Sequence, residues 1–142
     1  MDAAAKGGQA KDLFTGGCNC SQAVFCAFAG DLGVDKELAL KISSGLGGGM
    51  GRLREVCGAF SGAVLALGMK YGPDRAEVYA KVQELAAAVK AETGSIICRE
   101  LLEGTGATSG GAPEARTGEY YRKRPCAEIV RLVAEKLAEI ST

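Results

Sequence analysis

The 142-residue chain contains no histidine. Without an imidazole there is no Cys–His nucleophile pair, no His-liganded zinc site and no Cys-x-x-Cys-His haem attachment. Neither sign of charge is in excess, with 17 Lys plus Arg against 17 Asp plus Glu. That balance lacks the basic footprint of a nucleic-acid binder. No run approaches the roughly 20 apolar residues of a membrane span. The opening MDAAAKGGQAKDLF has no apolar h-region, so no signal peptide is expected. A cytoplasmic, reducing compartment is the default expectation, and there cysteines are more often catalytic or metal-binding than disulfide-bonded.

What the chain does have is sulfur and glycine. Six of its residues are cysteine and 21 are glycine. Apolar residues make up 47% and charged residues 24%, ordinary for a globular protein, and the length suits one domain spanning 1–142.

Helix patterns run almost throughout. Helices are expected over about 3–15, 20–30, 35–44 with Asp35 as N-cap, 54–70 ending at Tyr71-Gly72-Pro73, 74–93, 97–103 and 125–140. No strand alternation extends beyond a few residues. The fold expected is an all-α, single-domain bundle of about five to seven helices. Its Gly-rich loop at 45–51 cannot be regular structure. The stretch 104–118, GTGATSGGAPEARTG, reads as a mobile loop, and the basic run Tyr121 to Arg124 as its solvated flank.

Helical spacing orients the cysteines. Cys126 shares a face with Ile129, Val130, Val133, Leu137 and Ile140. Cys57 falls with Phe60, Val64 and Leu65, Cys20 with Ala23, Val24, Ala27 and Phe28, and Cys98 with Leu101 and Leu102. Each of the four lies in or beside the first turn of its helix and points inward. A helix start offers free N–H groups and partial positive charge, which favour thiolate over thiol. Four such residues could converge at one end of a bundle, or could simply be small core hydrophobes. Cys26 lies inside its helix and reads as core. Cys18, in Gly17-Cys18-Asn19-Cys20, is a fifth ligand, a resolving thiol or a bystander.

The run Gly45–Gly51 lacks the Gly-Lys-Ser/Thr ending of a phosphate loop. Its glycines, Gly48 and Gly49 among them, would allow close approach to a bulky group and aim N–H groups at sulfur. Gly58 and Gly62 stand four apart, a spacing that suggests close packing of another helix or of a bound group.

Together these residues carry a resemblance. The elements are Gly17-Cys18-Asn19-Cys20-Ser21-Gln22-Ala23-Val24, the 45–51 loop, Glu55-Val56-Cys57-Gly58-Ala59-Phe60-Ser61-Gly62-Ala63, Leu67-Gly68-Met69-Lys70-Tyr71-Gly72, Gly94 to Leu102 and Pro125-Cys126. From about residue 12 to 140 the chain resembles the family of small proteins named for its cysteine pattern, C-GCAxxG-C-C. The resemblance implies a helical protein with four characteristic cysteines, here Cys20, Cys57, Cys98 and Cys126, and a redox or metal role. The central block here reads Cys-Gly-Ala-x-x-Gly rather than Gly-Cys-Ala. Cys18 and Cys26 are additional, and 104–118 looks like an insertion.

Three functions compete on the sequence. In the first, Cys20, Cys57, Cys98 and Cys126 are thiolate ligands of an iron–sulfur cluster for electron transfer or redox sensing, with Gly48, Gly49 and Gly58 lining the cofactor site. In the second, Cys57 is the reactive thiol of a thiol–disulfide protein, resolved by Cys20 or Cys18. In the third, the chain is a non-enzymatic all-thiolate zinc site or metal carrier. The redox partner protein is not identified by the sequence, and a homodimer is left open.

Overall fold

The computed structural model describes residues 2–141, the side chain of Lys123 excepted. Its elements are α1 (Ala3–Thr15), α2 (Cys20–Ala29), α3 (Lys36–Ser43), a 3₁₀ turn (Ser44–Leu46), α4 (Gly47–Met50), α5 (Gly58–Tyr71), α6 (Arg75–Thr93), α7 (Cys98–Leu101), α8 (Gly118–Lys123) and α9 (Cys126–Ile140). The fold is all-α. Among the described residues the only β feature is an isolated antiparallel bridge between Val56 and Ile97. No helix among them is long and apolar enough to cross a membrane.

The helix starts follow from local chemistry. Asp35 accepts from the Leu38 N–H and Asp74 from Ala76 and Glu77, each satisfying first-turn donors. Asn19 forms a capping box with Gln22: its side chain accepts from the Gln22 N–H at 2.9 Å, and its own N–H donates to Gln22 Oε1 at 3.0 Å. The same segment is fastened to the end of α3, because Ser21 Oγ donates to the Ser43 carbonyl at 2.6 Å and Asn19 Nδ2 to the Ser44 carbonyl at 2.9 Å.

The core forms where α1 lies along α9 and α2 along α5, with Phe14, Phe25, Leu67, Leu85, Val130 and Leu137 fully enclosed. The α9 stripe of Ile129, Val130, Val133 and Leu137 is buried as its spacing requires. In α5 the enclosed face is Ala59, Phe60, Ala63 and Leu67, while Val64 and Leu65 are only half-buried. Small residues take the inner positions there because α2 approaches closely: a Cβ on Gly62 would stand 2.5 Å from the Ser21 carbonyl oxygen. Close helix packing is thus the role of Gly62.

Two elements differ from the sequence reading. First, α5 begins at Gly58 rather than near 54, because Arg54 to Val56 pair with the segment before α7. Second, α8 is an additional short helix after the 104–118 loop, started by Thr117, whose side chain accepts from the Tyr120 N–H. The one-turn α4 falls within the glycine run, but Gly48 and Gly49 have non-helical φ and ψ there, so the run is an irregular turn as its composition requires.

Candidate thiol site

The four cysteines stand where the spacing puts them: Cys20, Cys98 and Cys126 open α2, α7 and α9, and Cys57 is the N-cap of α5. All four line one cavity of about 70 Å³. Phe14, Leu101, Leu102 and Ile129 supply its apolar wall; Gly48, Gly58, Arg54 and Tyr120 also border it.

Backbone pairing joins two of the four starts. The Cys57 N–H donates to the Ile96 carbonyl at 2.7 Å and the Cys98 N–H to the Glu55 carbonyl at 2.6 Å, so α5 and α7 begin side by side. The glycine-rich segment closes against them. Gly48, Gly49, Met50, Gly51, Arg52 and Arg54 all have positive φ, a run that winds the chain back so that the Arg54 and Glu55 N–H groups reach the Gly48 and Gly49 carbonyls. Glycine is required at 49, where a Cβ would stand 2.6 Å from Cys98 Cβ, and at 58, where it would collide with Cys20 Sγ. Gly48 and Gly58 border the cavity directly. Gly49 does not, and acts by letting the loop lie against Cys98.

Electrostatics revise one expectation. Nearby amides do favour thiolate here: the Gly48 N–H of the glycine turn and the helix-start Ser21 N–H act on Cys20, and the helix-start Phe60 and Ala59 N–H groups on Cys57. Burial outweighs them. It raises the thiols of Cys20 and Cys57, and mutual repulsion among the site's sulfurs adds to it. The Cys126 thiol is pushed up to about 12, first by burial and then by Cys20 and Cys98. With nothing bound, these are thiols at neutral pH, not thiolates.

A pH dependence follows. The folded pKa is raised above the ordinary thiol value of 9.0, so these groups bind protons more tightly in the folded chain. Their contribution is fully present below about pH 9 and is lost as pH rises toward 12. The reduced, metal-free protein is expected to lose about 1 kcal/mol or more of stability per pH unit in that range. Urea unfolding midpoints from pH 8 to 11 measure it, and Cys126→Ala should flatten the slope; a pH-independent midpoint would contradict it.

Sequence reasoning missed Arg54. Its side chain is only 11% exposed, and Nη1 stands 3.7 Å from Cys98 Sγ. It is the one cation in hydrogen-bond reach of a site sulfur among the described residues. The signal was available in Arg52-Leu53-Arg54-Glu55, two arginines directly before the Cys57 block. Cys18 and Cys26 stay outside the cavity. The Cys18 carbonyl accepts from Arg116 Nη2 at 2.6 Å, and Cys26 faces a groove between α1 and α2.

The 104–118 loop covers this end of the bundle. Arg52 Nη1 donates to the Ala112 carbonyl at 3.0 Å, Arg54 Nε to the Thr108 carbonyl at 2.9 Å, and Gly110 N–H to the Arg52 carbonyl at 3.0 Å. Among the described residues no three His, Cys, Asp or Glu side chains are drawn up as ligands of a single metal ion.

Neither the curated proteins nor the solved structures contain a match to this chain. One family model matches residues 18–140, under the description "Putative redox-active protein (C_GCAxxG_C_C)". The chain therefore belongs to the C_GCAxxG_C_C family, and its cysteines Cys20, Cys57, Cys98 and Cys126 are gathered at one end of a helical bundle.

Proposed function

We propose that the cavity holds an iron–sulfur cluster ligated by Cys20, Cys57, Cys98 and Cys126, and that the protein serves electron transfer or redox sensing. One observation carries the reading: four thiols from four separate helix starts border one cavity, the donor set of a cluster held by cysteine thiolates.

The donor set fits. Thiolates are the ligands of such clusters, and the raised thiols need positive charge beside them before they lose their protons. Arg54 offers part of that charge, acting on Cys126. The N–H groups of Gly48, Ala59 and Phe60 favour negative charge on Cys20 and Cys57, an influence of the kind that tunes a cluster's potential. Phe14, Leu101, Leu102 and Ile129 give the sulfurs an apolar wall. When bound, the group supplies one-electron redox chemistry. The raised thiol of Cys57 weighs against the thiol–disulfide reading, which needs a ready thiolate.

Anaerobic purification, a visible spectrum, and iron, sulfide and zinc analysis test the proposal. The expected result is a brown protein with stoichiometric iron and acid-labile sulfide, bleached by dithionite. A colourless protein that takes up no iron on anaerobic reconstitution would overturn it.

A further inference from the structure

A second cavity of about 200 Å³ adjoins the thiol cavity and shares Asn19, Gly48, Arg54, Arg116 and Tyr120 with it. Its charge is unbalanced. Arg52, Arg54, Arg116 and Arg124 border it, against the single carboxylate of Glu114. Three of these guanidiniums are nearly enclosed: the side chains of Arg52, Arg54 and Arg124 are 13%, 11% and 7% exposed. All three share Glu114. Arg124 Nη2 reaches both its oxygens at 2.9 Å, while Arg52 and Arg54 stand at 3.4 Å. Their charge holds the Glu114 carboxyl below its usual range, with Arg124 the main cause.

One carboxylate cannot neutralise so many cations in a partly enclosed space, and excess buried charge is unfavourable without a counter-ion. A donor also remains unused: Arg52 Nε is buried and has no hydrogen-bond partner. Guanidinium groups match planar and tetrahedral oxyanions through paired N–H bonds. The volume of about 200 Å³ admits a small ion.

We propose that this arginine cavity binds a small oxyanion, a carboxylate or a tetrahedral oxyanion, directly beside the thiol cavity. Glu114 occupies part of the same cationic surface and competes with it. The proposal goes beyond the cluster reading and stands without it, since none of the four thiols is needed for anion binding.

The test is calorimetric titration of the full chain with inorganic phosphate and, separately, with malonate, at constant ionic strength set by chloride. Saturable binding of at least one is expected. Phosphate alone would identify a tetrahedral ligand, malonate alone a carboxylate, and both a site common to the two. Opposite responses locate it: Glu114→Gln should tighten binding about tenfold or more, and Arg124→Gln should weaken it about tenfold or more, a step of ~1.4 kcal/mol each. Circular dichroism verifies that each variant folds. If either does not, Arg52→Gln decides, with a tenfold loss supporting the site and unchanged affinity overturning it. Absence of saturable binding beyond chloride, or weakened binding in Glu114→Gln, would also overturn it.

Discussion

Replacing Cys57 with serine is expected to cut the iron retained by anaerobically purified protein at least about tenfold, given that even outer-shell changes cost metal sites 10–100-fold. Serine keeps the size of cysteine but offers a hard hydroxyl where a soft thiolate is needed. Cys57 is the N-cap of α5, so its sulfur is held by the turn that begins the helix. Cys26→Ser, in the α1–α2 groove, should leave iron and sulfide per chain unchanged. Iron and sulfide analysis of both variants checks the assignment, and equal behaviour of the two would sink it. Because Cys20, Cys98 and Cys126 border the same cavity, their serine variants should follow Cys57 rather than Cys26.

Gly62→Ala should destabilise the fold by about 1–3 kcal/mol, although alanine is the better helix former. The added methyl would meet the Ser21 carbonyl, which belongs to the α2 backbone and cannot turn aside as a side chain would. Relief requires α2 and α5 to separate. That movement would carry Cys20 away from Cys57, so iron retention should fall together with stability. Gly68, on the same helix, has open space where a Cβ would stand, with nothing within 4 Å. Gly68→Ala should therefore raise stability by up to about 1 kcal/mol through helix propensity alone. Urea midpoints of the two variants measure the contrast; destabilisation of equal size in both would show that packing against α2 is not the cause.

Much of the fold is legible in the sequence because helices are local. The 3.6-residue period marks the α9 stripe, and Asp35 and Asp74 announce their helices through side-chain oxygens that satisfy nearby N–H groups. The start of α5 is not legible in this way, because the Arg54–Val56 segment has apolar and charged residues a helix would accept. What keeps it out of the helix is pairing with residues some forty positions away, beyond the reach of any local pattern. The loop's covering position has the same origin. GTGATSGGAPEARTG carries no apolar face, and its anchors Arg52 and Arg54 lie in another segment.

The thiol chemistry divides in the same way. Position at a helix start is a local property, so the placement of Cys20, Cys98 and Cys126 at their helix starts follows from sequence alone, whereas Cys57 becomes the N-cap of α5 through the pairing that delays that helix to Gly58. The ionisation of Cys20, Cys57 and Cys126 does not follow from sequence alone. A helix start by itself favours thiolate, but the tertiary fold removes water from the sulfurs and sets them close enough to repel, and burial prevails. By itself the sequence determined the all-α class, the four inward cysteines and the glycines that permit close approach. Only the tertiary structure decided that the four share one cavity, that Arg54 reaches Cys98, and that an arginine cavity lies beside them. Such features depend on the distance between residues far apart in the chain, and packing alone fixes that distance.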